Sequence, residues 1–247
     1  MVFSILIATY NSAKHIKPCL ESINNQTFKD FELIIMDGKS SDKTLDIIRE
    51  ICPFAKVTSE RDSGIYNALN NGLKKIKGKW LYILGSDDCF ANENVLMEVN
   101  SNIEDNLSMI YGNIITKKQN VLRTLKMKDP LEYRNNNNLT PPIFHQTVFI
   151  KSEKLIKTGQ FQENFLIHAD HFMISQFFNF FNTKYIDKNI CIYSQEGFSE
   201  LKFSKLFLSM NEQLRISLFF KSSLIVFIKN QVKNLLRATY NKFKKYL

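Results

Sequence analysis

The chain has 247 residues, of which 44% are hydrophobic and 23% charged, and it contains only eight glycines and five prolines. This composition is typical of a globular protein and excludes the disordered, collagen-like and repeat-array classes. Residues 1–200 carry 23 basic and 23 acidic side chains, whereas residues 201–247 carry ten basic ones and a single acid, Glu212. The neutral body disfavours nucleic acid as a partner, and the basic tail predicts contact with an anionic surface.

The cysteines and two apolar runs bear on the compartment. The four cysteines stand singly, without a C-x-x-C pair or zinc-site spacing, at positions 19, 52, 89 and 191, so we expect free thiols in a reducing compartment. Residues 1–10 are apolar but lack the basic start and the cleavage site of a signal peptide. The apolar run 216–228 is shorter than the about 20 residues of a transmembrane helix. Together these features predict a cytoplasmic protein.

The order of apolar patterns along the chain predicts an α/β fold with a mainly parallel open sheet flanked by helices. Up to residue 90, the predicted elements are a strand at 2–9, a helix at 13–26, a strand at 31–37, a helix at 42–51 capped by Ser40 or Ser41, a strand at 55–60, a helix at 65–77 ended by Gly78, and a strand at 80–85. Beyond it we predict a helix near 92–103, strands near 108–116 and 121–126, a flexible loop at 135–142, a strand at 146–150, a helix at 170–181 and a strand at 183–194.

Ligands of an open parallel sheet bind at the carboxyl ends of its strands. The residues that follow the predicted strands are Thr9–Asn11, Asp37–Asp42, Glu60–Gly64 and Gly85–Asp88. Serine and aspartate at such places also form helix caps and turns, and this interpretation stays open for residues 40–42.

Asp87 and Asp88 are adjacent carboxylates at the end of an apolar strand. Because they repel each other, a bound divalent cation explains them better than a structural role does. No His or Cys stands beside them, so the donor set suits Mg²⁺ or Mn²⁺ rather than zinc, and such a Mg²⁺ usually also contacts phosphate. The chain lacks a G-x-G-x-x-G motif after its first strand, and residues 72–79 do not fit a P-loop, which disfavours dinucleotide enzymes and P-loop NTPases.

A resemblance to family 2 glycosyltransferases, which have the GT-A fold, is carried by ILIATYNSAKHIKPCLESINNQTFKDFELIIMDGKSSDKT and ERDSGIYNALNNGLKKIKGKWLYILGSDD. It covers residues 2–90 with the motifs in order and continues more loosely toward residue 195. The resemblance implies a GT-A domain at 1–200, with a nucleotide-sugar-binding half at 1–90 and an acceptor-side half at 91–200. A basic amphipathic helical tail at 201–247 follows this domain.

The resemblance also implies roles for the residues after the first two strands. Thr9, Tyr10 and Asn11 occupy the position of a motif that contacts the nucleotide. Asp37 would accept a hydrogen bond from the base, since the imide N–H of uracil is a donor and a carboxylate is an acceptor.

Further roles are implied for the next two loops. Glu60, Asp62 and Gly64 match an E-x-D-x-G motif, in which Asp62 lies near the nucleotide and Gly64 permits close approach of the backbone. Ser86, Asp87 and Asp88 take the position of the family's D-x-D motif. This implies that Asp88 is the metal ligand and that Asp87 contacts the ribose or the sugar. The metal offsets the charge that grows on the departing diphosphate.

A later segment, GQFQENFLIHADHFMISQFF, is similar to the region of the family that holds the catalytic base, and Asp170 falls at that position. A helix-capping role for Asp170 is the alternative, and His168 or His171 as the base is a weaker hypothesis. Partial burial among Phe165, Phe172 and the flanking histidines is expected to bring the pKa of Asp170 nearer to neutral.

His145 and Gln146 resemble an H-Q pair found at the acceptor side of related bacterial polysaccharide transferases, although a purely structural histidine is equally open. The chain departs from the common family pattern at Lys39, which would meet a phosphate or face water, and at Asn67, where Asp is frequent.

These features imply an inverting, metal-dependent transfer of sugar from a nucleoside-diphosphate sugar, expected to be a UDP-sugar, to a glycan or polyprenyl-linked acceptor in cell-surface polysaccharide biosynthesis. Apolar residues at helical spacing and lysines on the other face of the tail predict peripheral attachment at the inner face of the cell membrane. Packing of that helix on the domain is the alternative.

Two other functions stay open. A nucleotidyltransferase on a related fold would want a glycine-rich first loop bearing Arg or Lys, which Thr9–Asn11 lacks. A non-catalytic nucleotide-sugar-binding or membrane-surface module would be indicated by loss of the acids, all of which are present.

Overall fold

The structure is a computed structural model that describes residues 1–118, 121–194 and 203–221, with side chains described from residue 208 onward in the last range. Its strands are β1 Phe3–Thr9, β2 Phe31–Asp37, β3 Lys56–Ser59, β4 Trp80–Ile83, β5 Cys89–Phe90, β6 Met109–Lys118, β7 Val121–Leu125, β8 Val148–Lys151 and β9 Thr183–Ser194. Its helices are α1 Ile16–Asn24, α2 Thr44–Ile51, α3 Ile65–Leu73, α4 Val95–Asn100, α5 Pro130–Asn135, α6 Ser152–Thr158, α7 Ala169–Phe180 and α8 Phe203–Phe219, with a 3₁₀ turn at His145–Thr147.

The strands of the described residues form one sheet in the order β3-β2-β1-β4-β8-β6-β9-β5, with β7 paired to β6. β1 pairs in parallel with β2 and β4, and β2 pairs in parallel with β3. β8 pairs antiparallel with both β4 and β6, whereas β6 and β9 are parallel. The predicted α/β fold is confirmed, with the parallel part in the first four strands and a mixed sheet beyond them. The loops after β1, β2, β3 and β4 therefore meet at one edge.

Each face of the sheet has its own hydrophobic core. In β1, Phe3, Ile5 and Ile7 contribute to one core and Leu6 to the other, and all four are fully buried. The first core packs against α1, α2 and α4, and the second packs against α3, α7 and α8. Because helices cover both faces, the central strands are continuous apolar runs instead of alternating ones.

The start of α2 differs from the prediction. The helix begins at Thr44 instead of Asp42, and neither Ser40 nor Ser41 caps it. The hydroxyl of Ser40 instead donates to the carboxylate of Asp37, and the carboxylate of Asp42 accepts from the N–H of Thr44 at 3.0 Å. The polar residues of this loop therefore close turns around the end of β2, and the prediction of a serine cap was wrong.

The acceptor-side half contains elements that the sequence pattern did not predict. These are the two-residue strand β5 and the short helices α5 and α6. The predicted strand at 146–150 begins only at Val148, because the 3₁₀ turn at His145–Thr147 precedes it. This turn keeps the H-Q pair out of the sheet ladder.

Glu32 joins the first strands to the turn before β4. It is buried and accepts hydrogen bonds from the Ser4 hydroxyl at 2.6 Å and from the backbone N–H groups of Lys77 and Gly78. Lys56 of β3 adds a charged hydrogen bond at 2.7 Å. Burial by itself raises the pKa of Glu32, but the hydrogen bonds from Lys56 and Ser4 outweigh it and hold the pKa below its ordinary value.

We expect Glu32→Gln to lower the free energy of unfolding by about 2 kcal/mol at pH 7, because a charged acceptor of hydrogen bonds from three other segments is lost. The folded-state pKa is depressed, so this contribution is present above the ordinary carboxyl pKa and disappears as the pH falls through the folded value. Urea unfolding at several pH values measures both effects. In the control Glu153→Gln, which removes an exposed pair with Lys157, we expect a change below about 0.5 kcal/mol. Equal effects in the two variants would contradict this account of Glu32.

Candidate active site

The loop after β1 is fixed to the loop after β2. The N–H of Gly38 donates to the carbonyl of Thr9 at 2.8 Å. Asn11 has a positive φ of 47°, and its N–H donates to the hydroxyl of Ser40 at 2.8 Å. Thr9 is buried, whereas the side chain of Tyr10 is exposed. Of the three predicted nucleotide contacts, Asn11 shapes the loop and Tyr10 presents its ring to solvent.

Asp37 lies at the end of β2 and is already engaged by its surroundings. One carboxylate oxygen accepts from the Ser40 hydroxyl, and the other accepts from the Ser40 N–H at 3.0 Å and the Ser59 hydroxyl at 2.6 Å. Asp37 is 2% exposed. A carboxylate has about four acceptor positions, so one further hydrogen bond, such as the one predicted from a base, can still be accepted.

The loop after β3 brings Asp62 beside the first two loops. Glu60 is exposed, and its N–H donates to the carbonyl of Asp37 at 2.9 Å. Asp62 accepts from the N–H of Gly64, and a Cβ on Gly38 would come within 2.9 Å of its Oδ2. Gly64 has a φ of +136°, and no described atom lies within 4 Å of its missing Cβ. Backbone conformation therefore requires this glycine, whereas close packing within the chain does not.

The loop after β4 is joined to the first loop by Ser12 and Ser86, whose hydroxyl oxygens lie 3.1 Å apart. Gly85 opens this loop, and a Cβ there would lie 2.5 Å from Asp88 Oδ2 and 3.0 Å from Asp87 Oδ1. Glycine therefore leaves the space into which both carboxylates turn. Gly85 was not among the predicted site residues, although its position shortly before a pair of acids was an available signal.

Asp88 is a buried carboxylate, only 1% exposed. It accepts from the N–H of Ser194 at 3.0 Å, and the side chain of Gln146 adds a hydrogen bond. Burial, followed by the charge of the neighbouring Asp87, raises the pKa of Asp88 to about 6. A cation bound between the two acids would relieve both the desolvation and the repulsion.

Asp87 and Asp88 line a cavity of about 580 Å³ whose wall also contains His145, Gln146 and Asp170. The structure thus brings five of the predicted site residues to one space. The remaining predicted residues lie at the ends of β1 and β2 or in the adjoining loops, and not in the wall of this cavity: Thr9, Tyr10, Asn11, Asp37, Glu60, Asp62 and Gly64.

Asp170 is the second residue of α7, and the residue that caps this helix is His168. One oxygen of Asp170 lies 2.8 Å from Nδ1 of His145, and the other accepts from the N–H of His171 at 2.8 Å and lies 3.3 Å from the Tyr66 hydroxyl. Asp170 is thus held by His145 and by an N–H of the first turn of its own helix, and it does not occupy the N-cap position.

The pKa of Asp170 differs from the sequence prediction. Burial raises it, but the hydrogen bond and the charge of His145 outweigh burial and hold the pKa at about 2. Burial lowers the pKa of His145, and its hydrogen bond to Asp170 reverses that effect and raises it overall. The expected shift of Asp170 toward neutral was therefore wrong, because the sequence did not indicate which histidine would face this carboxylate.

The two histidines beside Asp170 have other partners. Nε2 of His168 lies 2.7 Å from the hydroxyl of Ser209 and 3.2 Å from the side-chain amide of Gln213. Burial lowers the pKa of both His168 and His171. Among the ion pairs of the described residues, the partner of Asp170 is His145.

Helix α3 supplies site residues that the sequence analysis missed. The hydroxyl of Tyr66 donates to the carbonyl of Ile167, and its ring stacks on Phe161 with centroids 5.9 Å apart. The side chain of Asn70 donates to the carbonyl of Phe161 at 2.9 Å and accepts from its N–H at 2.8 Å. Tyr66 and Asn70 are four residues apart and so share one helix face, which was the available signal. This face holds the segment that leads to Asp170.

The two departures from the family pattern have distinct surroundings. Asn67 donates to the carboxylate of Glu163 at 3.2 Å, and Asn70 donates to the same carboxylate at 2.8 Å. An Asp at position 67 would place a like charge against Glu163. Lys39 is exposed and has a φ of 66°, a conformation that favours glycine.

Part of the predicted tail packs on the domain. Ile216 and Phe220 are buried, and the ring of Phe220 lies 5.6 Å from that of Phe172 in α7. The remainder of the predicted amphipathic helix, residues 222–247, lies outside the described residues. Among the helices of the described ranges, none is long and apolar enough for a membrane span.

The donor set at the end of β4 fits a magnesium-like cation. No group of three or more His, Cys, Asp or Glu side chains in the described residues forms a ready metal cage. Mg²⁺ is usually held by one or two carboxylates and completes its shell with phosphate oxygens and water. Asp87 and Asp88 around the space left by Gly85 match that requirement. The nearby thiols of Cys19 and Cys191 have pKa values raised by burial, so they are not thiolate ligands.

Residues 4–190 match the family model described as Glycosyl transferase family 2. The chain is 31% identical over 205 residues to a PGL/p-HBAD biosynthesis glycosyltransferase of Mycobacterium bovis (strain BCG / Pasteur 1173P2). That alignment covers 79% of this chain and 78% of the relative.

Two solved structures have a similar fold. S. aureus TarS 1–349, in complex with UDP-GlcNAc, matches with a TM-score of 0.69 and 19% identity over 95% of this chain and 72% of that one. The mannosyltransferase PcManGT from Pyrobaculum calidifontis, in complex with GDP-Man and Mn²⁺, matches with a TM-score of 0.60 and 18% identity over 85% of this chain. The chain spans 60% of the length of PcManGT. At these identities the likeness shows the GT-A fold alone.

The raised pKa of Asp88 predicts an unusual dependence of stability on pH. Since the folded protein binds a proton more tightly than the unfolded chain does, the metal-free free energy of unfolding falls as the pH rises from 3.8 to about 6. At pH 8 with chelator present, we expect Asp88→Asn to be more stable than wild type by about 2 kcal/mol.

Thermal unfolding with and without Mn²⁺ measures this effect. We expect Mn²⁺ to raise the melting temperature of wild type and to leave that of Asp88→Asn unchanged. Asp105→Asn, at an exposed acid, serves as the control and should behave as wild type does. A loss of metal-free stability in Asp88→Asn at pH 8 would contradict this interpretation of the buried pair.

Proposed function

The chain belongs to glycosyltransferase family 2, and we propose that it transfers a sugar from a UDP-sugar to a hydroxyl of a glycan or lipid-linked acceptor, with inversion at the anomeric carbon. The observation that carries this proposal is one cavity with two acidic centres in its wall, Asp87 with Asp88 and, separately, Asp170. Inverting transfer by a single displacement needs a base for the acceptor and a charged site for the leaving diphosphate. The proposed process is cell-surface polysaccharide biosynthesis.

The nucleotide is proposed to bind over the loops after β1, β2 and β3. The exposed ring of Tyr10, the remaining acceptor position of Asp37 and the carboxylate of Asp62 lie in these adjoining loops. The other proposed contacts to the nucleotide sugar are Thr9, Asn11, Glu60, Gly64 and Asp87. TarS with UDP-GlcNAc and PcManGT with GDP-Man support a nucleoside-diphosphate sugar as donor, and the acceptor position of Asp37 suits the N–H of uracil.

A divalent cation, Mg²⁺ or Mn²⁺, is proposed at Asp88, where it would supply charge stabilisation for the departing diphosphate. Gly85 leaves the space for it, and Gln146 and the N–H of Ser194 hold the carboxylate in place. The complex of PcManGT with Mn²⁺ supports this assignment.

Asp170 is proposed as the base that takes the proton from the acceptor hydroxyl. Its pKa of about 2 keeps it ionised at every working pH, so it is always ready to accept a hydrogen bond from that hydroxyl. The pairing with His145 orients the carboxylate and makes it a weaker base than an isolated one. The proton that Asp170 accepts can pass to Nδ1 of His145 only if the ring is neutral and carries its proton on Nε2, and the neutral ring requires a pH above its raised pKa.

The acceptor is proposed to carry apolar surface next to its reactive hydroxyl. Beyond the acids, the cavity wall is mainly apolar, with contributions from Leu69, Ile83, Ile143, Phe161, Leu166 and Met173. A polyprenyl-linked glycan would meet this requirement. The basic sequence of residues 222–247 would then hold the protein at the inner face of the cell membrane, where such an acceptor is presented.

We expect Asp170→Asn to lower kcat by about 10³-fold, because the amide cannot accept the proton. His145→Gln keeps Asp170 as a carboxylate and raises its pKa, so its kcat should fall by no more than about 10-fold. Release of nucleoside diphosphate with a lipid-linked acceptor mixture measures the rates, and NMR of the product reads the anomeric configuration. Wild-type turnover by Asp170→Asn, or retained configuration, would contradict the proposal. If His145→Gln is inactive while Asp170→Asn is active, His145 would be the base instead.

Membrane attachment can be tested by charge removal in the full chain. We expect a variant with glutamine at six basic positions of the tail to lose binding to anionic vesicles, since each such residue contributes about 1 kcal/mol. These positions are Lys229, Lys233, Arg237, Lys242, Lys244 and Lys245. The control carries glutamine at six exposed lysines of the body, which are Lys14, Lys17, Lys43, Lys74, Lys75 and Lys79. Co-sedimentation measures both, and equal losses would exclude a specific role for the tail.

A further inference from the structure

The only acidic side chain among residues 201–247 lies at a distinctive place. Glu212, in α8, is 2% exposed, although the tail that carries it is otherwise basic. Its Oε1 accepts from the N–H of Leu166 at 2.7 Å, and its Oε2 accepts from the N–H groups of Ile167 and His168 at 3.1 and 3.0 Å. One buried carboxylate thus satisfies three consecutive backbone donors of a distant segment.

These three donors come immediately before α7, the helix that begins at Ala169 and carries Asp170. The residue at the cap position, His168, makes no side-chain hydrogen bond to the backbone of its own helix. Glu212 does not accept from the first turn of α7 itself, where the N–H of His171 donates to Asp170, but it holds the cap residue and the two residues before it. Its negative charge next to the start of α7 is favourable at a helix N-terminus. The orientation of the first turn of α7, and with it Asp170, therefore depends on α8.

Neighbouring residues of α8 reinforce this attachment. The hydroxyl of Ser209 contacts the His168 ring, and the guanidinium of Arg215 lies 4.8 Å from the centre of the Phe165 ring. Gln213 contacts the same histidine and reaches the wall of the cavity. Side chains of α8 thus contact both the backbone and the side chains of the segment before Asp170.

We propose that Glu212 is a positioning residue for sugar transfer, which holds residues 166–168 and thereby sets Asp170 against the reactive hydroxyl. This inference rests on the proposed function, in which Asp170 is the base. It gives α8, in the first part of the basic tail, a role in the acceptor-side half.

The test compares Glu212→Gln with wild type in the full chain. Glutamine keeps the size of the side chain but replaces one acceptor oxygen with a donor group, so at least one of the three N–H groups loses its partner. Because a small displacement of a catalytic group is costly, we expect kcat to fall by about 10- to 100-fold. The KM for the donor should stay within about 2-fold, since the donor site is formed by other loops. Amide hydrogen exchange at residues 166–168 should become faster.

Ile216→Ala is the matched control, because Ile216 is a fully buried residue of the same helix that makes no hydrogen bond to residues 166–168. It weakens the packing of α8 without removing the carboxylate, so at temperatures well below its melting point kcat should stay near that of wild type. If Ile216→Ala lowers kcat as much as Glu212→Gln does, or if Glu212→Gln keeps the wild-type kcat and exchange rates, the inference is overturned.

Two further outcomes separate this inference from the proposed function. Full transfer activity in Asp170→Asn would overturn both, whereas activity lost in Asp170→Asn and kept in Glu212→Gln would overturn the role of Glu212 alone. If Glu212→Gln does not fold, Ser209→Ala removes a milder contact to the same segment. We then expect kcat to fall by about 3-fold with unchanged KM, and an unchanged kcat would overturn the inference.

Discussion

The burial of Asp88 beside Asp87 at the end of β4 is the constraint around which the candidate site is arranged. Gly85 leaves room for both carboxylates, and Gln146 and the N–H of Ser194 satisfy lone pairs of Asp88. These neutral donors offset neither the burial of Asp88 nor its repulsion by Asp87, and both raise its pKa. Only a proton or a cation relieves this arrangement, so the site favours a ligand of opposite charge.

The same cavity contains a second carboxylate, Asp170, whose pKa is shifted in the opposite direction. Asp170 is held ionised by its own partner, His145, whereas Asp88 has no cationic side chain bonded to it among the described residues. Their pKa values lie near 2 and 6, although both residues are of one type. Such separation by environment is how a site assigns different roles to similar groups. The proposed base and the proposed metal ligand follow from this difference.

The position of Asp170 is fixed by two helices that form hydrogen bonds to the segment before it. On one side, Tyr66 and Asn70 of α3 hold the carbonyl groups of Ile167 and Phe161. On the other side, Glu212 of α8 holds the N–H groups that precede α7. The segment is not part of a strand, so these long-range hydrogen bonds hold it in place of a sheet ladder. Its geometry therefore depends on two helices that lie far from it in the sequence.

Features that depend on neighbouring residues were predicted from the sequence, whereas contacts between distant residues were not. The order of strands and helices up to β4, and the meeting of their carboxyl ends at one edge, followed from apolar periodicity and the short spacing of βαβ units. The cap of α2 was predicted wrongly because the helix begins only at Thr44, and the oxygen of Ser40 accepts from the N–H of Asn11 instead of from a helix N–H. Gly85 and Tyr66 stood next to recognised motifs, but their contacts depend on side-chain directions that a pattern does not contain.

The sequence by itself determined that this chain has an α/β fold, with paired acids at the tip of a buried strand and a later acid at the start of a helix. Local spacing and hydrophobicity are sufficient for such features, because they are properties of single elements. Only the tertiary structure decided that His145 faces Asp170 and that Glu212 supports α7. These contacts join residues far apart in the chain, and their energies arise from burial and mutual orientation that exist only once the elements have packed.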